Sequence, residues 1–307
     1  MGAAGWVAVI LAMMAMVLLG GWKLAHARSA VGLLEWADRV AGGTGGTALV
    51  TSGEPYGAHQ AQRLDVIAPN PPGPHPVLVF FHGGGWDSGQ PEDYRFVGRA
   101  FAREGHVVVL AGYRLGPDGL YPAMMDDAAD ALAWVRGNIA ALGGDPQRVF
   151  VMGHSAGAHL AALVTLDRRW LAARGLPSGF VRGVIGLSGP YDFHPFTSDQ
   201  ARRAFGHVAD PAQTQPIAFV RADAPPMLLL TGDADVTVKP RNSTALGSAL
   251  ASAGAAAQVM RLAGVDHAGT IKALAWPFSG DGRVKRAMLD FLASQGAASA
   301  PVQAAQP

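Results

Sequence analysis

Apolar residues in this 307-residue chain follow two alternating patterns. Short, almost unbroken apolar runs bounded by Gly, Pro and Asp recur at Arg63–Ile67, Val77–Phe81, Val107–Ala111, Val149–Met152, Gly183–Leu187, Met227–Thr231 and Gln258–Leu262. Runs of this length and kind predict buried strands. Between several of them lie longer stretches with apolar residues at helical spacing: Phe96–Glu104, Ala123–Leu142, Ala156–Leu166, Ser243–Ala253 and Arg283–Ser294. Apolar strands alternating with helices predict an α/β fold, a mostly parallel sheet covered on both faces. The link over 68–76 is too short for a helical crossover, so the first two runs are expected to pair antiparallel. The helix ending near Leu142 meets Gly143-Gly144, which can supply a left-handed cap, and Asp145-Pro146 then turns the chain into the next strand.

The two ends break this pattern. From Gly2 to Trp22 no residue is charged, a length sufficient to span a ~30 Å hydrocarbon layer. Residues 1–27 are therefore expected to form a membrane anchor or a signal peptide. Ala25-His26-Ala27 has the small-x-small spacing of a signal-peptidase site, which suits export. Lys23 and Arg28, behind the apolar run, suit instead an anchor that leaves the bulk of the protein in the cytoplasm. Leu33–Val40 reads as a short amphipathic helix and Gly42–Gly46 as a flexible connection. Residues 28–52 are thus expected to be a linker, and 53–295 the folded domain. Residues 296–307, rich in Ala, Ser, Gln and Pro without periodicity, are expected to be a disordered tail.

Composition narrows the partners. A net charge of +1 with only 15% charged residues leaves no basic surplus to neutralise phosphates, which argues against nucleic acid. Cysteine is absent, which removes disulfides, thiolate metal sites and cysteine nucleophiles together. No His/Asp cluster has the spacing of a catalytic metal site, and no phosphate-binding or dinucleotide fingerprint is present. The expected chemistry needs no cofactor.

The candidate chemistry lies at the ends of the predicted strands. Val149–Met152 runs into Gly153-His154-Ser155-Ala156-Gly157 and then into a helical pattern. This strand–turn–helix context lifts a serine hydroxyl clear of the sheet. A serine is a weak nucleophile at neutral pH and needs a base within hydrogen-bond reach and a carboxylate to orient that base. In such a sheet the partners follow in the order Ser, Asp or Glu, His. Met227–Thr231 ends in Gly232-Asp233-Ala234-Asp235, and Gln258–Leu262 leads to Asp266-His267. Ser155, Asp235 and His267 are the candidate catalytic set; Asp233 competes with Asp235, which sits deeper in its loop. Asp266 cannot easily turn back on its neighbour's ring.

Acyl transfer also needs N–H donors for an oxyanion. The amide of Ala156 is one candidate. His82-Gly83-Gly84-Gly85-Trp86 follows the run Val77–Phe81, and consecutive glycines there let the backbone turn its amides inward. Trp86, His82 and Tyr191 are expected around the substrate, with His82 and Trp86 anchoring the glycine loop, His159 a further support and Tyr113 a weaker candidate. His106 is expected at the surface, and Phe193–Ala224 as a short cap.

Together these segments resemble the α/β-hydrolase fold, in its hormone-sensitive-lipase-like and feruloyl-esterase-like carboxylesterase branch, with kynurenine formamidases nearby. The similarity extends from Tyr56-Gly57 through Gln62–Val66 and Tyr121-Pro122 to Leu292. By that resemblance Ser155, Asp235 and His267 form the triad, and Gly84, Gly85 and Ala156 donate to the oxyanion. His154 departs from the acidic residue often found there in lipase-like members and matches the feruloyl-esterase and formamidase side. The implied activity is hydrolysis of a small-molecule carboxylic ester through an acyl-enzyme. An amidase or formamidase would use the same machinery, and a membrane-tethered binding protein on the same fold would have lost it.

Overall fold

The computed structural model describes residues 29–297. The segment expected to be an anchor or signal peptide, and the end of the expected tail, lie outside the described residues. Among the described residues, no helix is long and apolar enough to cross a membrane.

The strands are β1 (Thr47–Pro55), β2 (Arg63–Pro69), β3 (His75–Phe81), β4 (Val107–Ala111), β5 (Gly144–His154), β6 (Val181–Leu187), β7 (Met227–Gly232) and β8 (Ala257–Leu262). They form one sheet in the order β1-β2-β4-β3-β5-β6-β7-β8. From β4 through β3 and on to β8 every pairing is parallel, while β1 and β2 are antiparallel additions at one edge. The expected direct pairing of β2 with β3 is corrected. Both strands neighbour β4, β2 antiparallel and β3 parallel to it, so the short 70–74 link steps past the place that β4 fills.

Side chains alternate across the sheet, and each face builds its own core. Val77, Val79 and Phe81 point to one side, with α3 (Ala123–Asn138), α4 (Ala156–Leu166) and α7 (Arg241–Ser252). Leu78 and Phe80 point to the other, with α2 (Arg95–Ala102) and α9 (Arg283–Ala297). Helix α3 ends before a 3-10 turn over Ile139–Leu142, capped by Gly143 in the left-handed conformation at φ 83°. That is the stop its sequence requires.

The stretch expected to be a linker is structured. Helix α1 (Ala30–Ala37), capped by the Ser29 hydroxyl, runs into a π-turn over Asp38–Gly42, and β1 follows. The helix is tied down by Arg99, whose guanidinium donates to both carboxylate oxygens of Glu35 at 2.9 and 2.8 Å and to Asp38 at 2.6 Å. Burial raises the Glu35 pKa, and Arg99 only partly offsets it. Strand β1 escaped notice because it lies at the sheet edge with most of its side chains exposed, so it carries no apolar alternation. His106, expected at the surface, is half-buried with its ring edge against Phe101.

Candidate active site

Strand β5 leaves the sheet at His154, and the chain reverses abruptly into α4 at Ser155. That serine sits at φ 53°, ψ −120°, a backbone region that non-glycine residues avoid at a cost of about 1–3 kcal/mol. Its amide donates to the Leu187 carbonyl of β6 at 2.8 Å, which fixes the turn against the neighbouring strand. Gly157 allows the tight reversal: a Cβ there would collide with the carbonyl oxygens of Phe81 and His82. Strand β3 and helix α4 thus meet backbone to backbone beside the serine.

The three candidate side chains converge. The Ser155 hydroxyl donates to His267 Nε2 at 2.8 Å, and His267 Nδ1–H donates to Asp235 Oδ2 at 2.8 Å. Asp235 is buried, and its other oxygen accepts from the amides of Thr237 and Val238 at 3.0 and 2.8 Å. The carboxylate is therefore held from both sides and presents one oxygen to the ring. Asp233 is turned away and accepts from the Gly264 amide at 2.7 Å. Asp266 accepts from the Gly269 amide at 2.6 Å.

Gly84, Gly85 and Ala156 line the same cleft as Ser155 and His267. Ala156 opens α4, where the first amides have no partner within the helix. Among the described residues, neither the Gly84 nor the Gly85 amide donates to a backbone carbonyl. Gly84 has φ 124°, and a Cβ there would run into the Ser88 carbonyl, so only glycine holds the loop in this shape. Asp87 and Ser88 amides both donate to the Gly84 carbonyl at 3.1 Å, pinning it outward.

Trp86 borders the cleft as expected. Two expectations about the substrate surroundings are corrected. His82 is buried behind the glycine loop, stacked between Tyr94 and Tyr113, with Nδ1–H donating to the Gly83 carbonyl at 2.8 Å. Tyr191 is wholly buried, its ring packed against Gly186 and Gly189 and its amide donating to Asn242 at 3.0 Å. Each supports the backbone that carries the site and cannot reach the cleft. Tyr113 does the same, its hydroxyl donating to the His82 carbonyl at 2.8 Å.

The cleft measures about 680 Å³. One wall is the Phe193–Ala224 connection, which contributes Phe193, Pro195, Ser198 and Gln200; α6 (Asp199–Phe205) lies within it. Its Phe193 and Phe205 pack on Trp86 and His159, forming an aromatic block beneath the cleft. The loop after Asp235 also borders the cleft, with Val236, Val238 and Lys239.

In the sequence His154 stands out only as a family marker, yet it touches the site. Its Nε2–H donates to the His267 backbone carbonyl at 3.0 Å, and the two rings lie 5.0 Å apart. Burial, and then repulsion from His267, lowers its pKa to about 4, so the ring is neutral at pH 7. The signal that could have found it was its place beside the nucleophile, at the end of a strand whose neighbours face the cleft.

The fold and this constellation define an α/β hydrolase. The BD-FAE family model matches residues 64–250, and the chain belongs to that family. Among similar proteins, esterase LipQ of Mycobacterium tuberculosis (strain ATCC 25618 / H37Rv) is 35% identical over 231 residues, covering 67% of this chain and 54% of LipQ. Isoprenylcysteine alpha-carbonyl methylesterase ICME of Arabidopsis thaliana is 28% identical over 234 residues, covering 69% and 55%. The chain spans about half the length of the curated relatives it matches. A solved structure of esterase B from Lactobacillus rhamnosis (HN001) superposes with a TM-score of 0.73 over 94% of this chain and 98% of that one; at 22% identity it speaks to the fold alone.

Proposed function

We propose that this protein is a serine carboxylesterase that hydrolyses small-molecule carboxylic esters through an acyl-enzyme. The observation that carries the reading is the unbroken relay of two 2.8 Å hydrogen bonds from Ser155 through His267 to Asp235, opening on a cleft bordered by the glycine-loop amides. Relatives named as esterases and methylesterases make an ester the favoured substrate class.

In the first half-reaction His267 Nε2 takes the Ser155 proton as the oxygen attacks the ester carbonyl. Asp235 holds Nδ1–H, which fixes the tautomer and stabilises the imidazolium that forms. The tetrahedral oxyanion is received by the amides of Gly84, Gly85 and Ala156, each worth about 2.7–4 kcal/mol of transition-state stabilisation in comparable sites. His267 then protonates the departing alkoxide, and the acyl group remains on Ser155. Water, deprotonated by the same imidazole, releases the acid.

Hydrolysis of a p-nitrophenyl acyl series by the wild type and Ser155→Ala tests this. The variant is expected to lose about 10⁵-fold or more in kcat and to lose labelling by a fluorophosphonate probe. Equal rates in the two proteins would remove Ser155 from the mechanism.

A further inference from the structure

The described residues lining the cleft include no Asp or Glu, yet they include two cations, Lys239 and Arg241. We propose that these two side chains form an anion-recognition site on the leaving-group side of the cleft, and that the favoured ester carries a carboxylate or phosphate on its alcohol portion. The inference rests on the serine-esterase reading above, because the side of the cleft is defined by the proton transfer. His267 Nε2 must reach the departing oxygen, so the alcohol lies beside His267. The loop carrying Lys239 continues directly from Asp235, which His267 Nδ1 contacts, so the two cations stand on that same side.

Their charge is available. Among the described residues Lys239 pairs with no carboxylate. Arg241 meets only Asp192, at 3.9 Å and with both side chains largely open to water, an arrangement worth little. Every other acid near this wall is committed elsewhere. Asp235 is buried and spent on His267, Thr237 and Val238. Asp233 serves the Gly264 amide, and Asp266 serves the Gly269 amide and stands 3.6 Å from Lys272. An anionic alcohol therefore meets two cations, with Asp192 beside Arg241 the one carboxylate left near them, while Phe193, Pro195 and Trp86 give the cleft an uncharged apolar lining for the rest of the ester.

The test compares 3-acetoxybenzoate with its neutral isostere 3-acetoxybenzamide, in the wild type, Lys239→Gln/Arg241→Gln and Ser155→Ala. The wild-type ratio of kcat/KM, anionic over neutral, is expected to exceed that of the double variant by about tenfold and to shrink as salt is raised. Equal ratios in the wild type and the double variant would overturn the proposal. So would equal ratios accompanied by binding to phosphatidylglycerol vesicles that depends on the two cations, which would assign them to a lipid surface. Full activity in Ser155→Ala on both esters would instead overturn the underlying mechanism, leaving the two failures distinct.

Discussion

Ser155 adopts a backbone that a serine would not choose, and its neighbours hold it there through the Leu187 carbonyl and the close approach at Gly157. Asp235 is equally over-determined, with two amides on one oxygen and His267 on the other. Asp235→Asn should preserve this packing but favour the wrong tautomer, lowering kcat by about 10⁴; steady-state kinetics with an unchanged thermal midpoint would check it. His154 acts through its neighbour, since its Nε2–H restrains the His267 carbonyl. Loss of one such bond is worth about 1 kcal/mol, or about fivefold, so His154→Leu is expected to lower kcat by that factor with KM little changed. His154→Gln, which retains a donor, should recover part of the loss; equal kcat in the two variants would show that the bond does not matter. The sequence pointed to Ser155, Asp235 and His267 because each ends a recognisable strand. It could not show that His82 and Tyr191 turn their rings away from the cleft, since side-chain direction beyond a strand end depends on what packs behind it.

Among the elements, the loop between β3 and α2 is the one the proposed chemistry depends on most. Gly84→Ala would force a Cβ into the Ser88 carbonyl and swing the loop amides out of line. It is expected to cost about 10²–10³ in kcat, while acylation by a fluorophosphonate slows without disappearing. Helix α1 tests a different kind of element. Its attachment depends on Arg99 facing Glu35 and Asp38, all largely buried. Arg99→Ala leaves two uncompensated acids, and urea unfolding should report a loss of about 3–5 kcal/mol. The helices α4 and α9 start where their spacing predicted, because α4 is apolar and buried along its whole length and α9 packs Val284, Met288, Phe291 and Leu292 into the core. The spacing at Leu33–Val40 pointed to a helix that overlaps α1, but not to its docking, which depends on ion pairs, and strand β1 was hidden because it is an exposed edge. Hydrophobic periodicity reports neither the docking nor the edge strand.

At the scale of the whole molecule, burial of histidines links the fold to pH. His82, His154 and His159 each have a pKa lowered to about 4, in every case chiefly by burial. An unfolded histidine binds its proton near pH 6.5. As pH falls from about 6.5 towards 4, the unfolded chain takes up protons that the folded one refuses, so stability declines through that window and the loss levels off below it. Urea midpoints measured across this range should fall steadily. His159→Gln, which has nothing to protonate, should reduce the slope.

The sequence by itself determined the class of fold, the chain order of the candidate residues Ser155, Asp235 and His267, and the glycines on which the turns depend, because local spacing and backbone demands are written along the chain. Only the tertiary structure decided that β4 stands between β2 and β3, that α1 and β1 belong to the folded body, and that Lys239, Phe193 and His154 border one cleft with Ser155. Those facts depend on which distant segments touch, and that is settled by the packing of the whole sheet and its two covering layers.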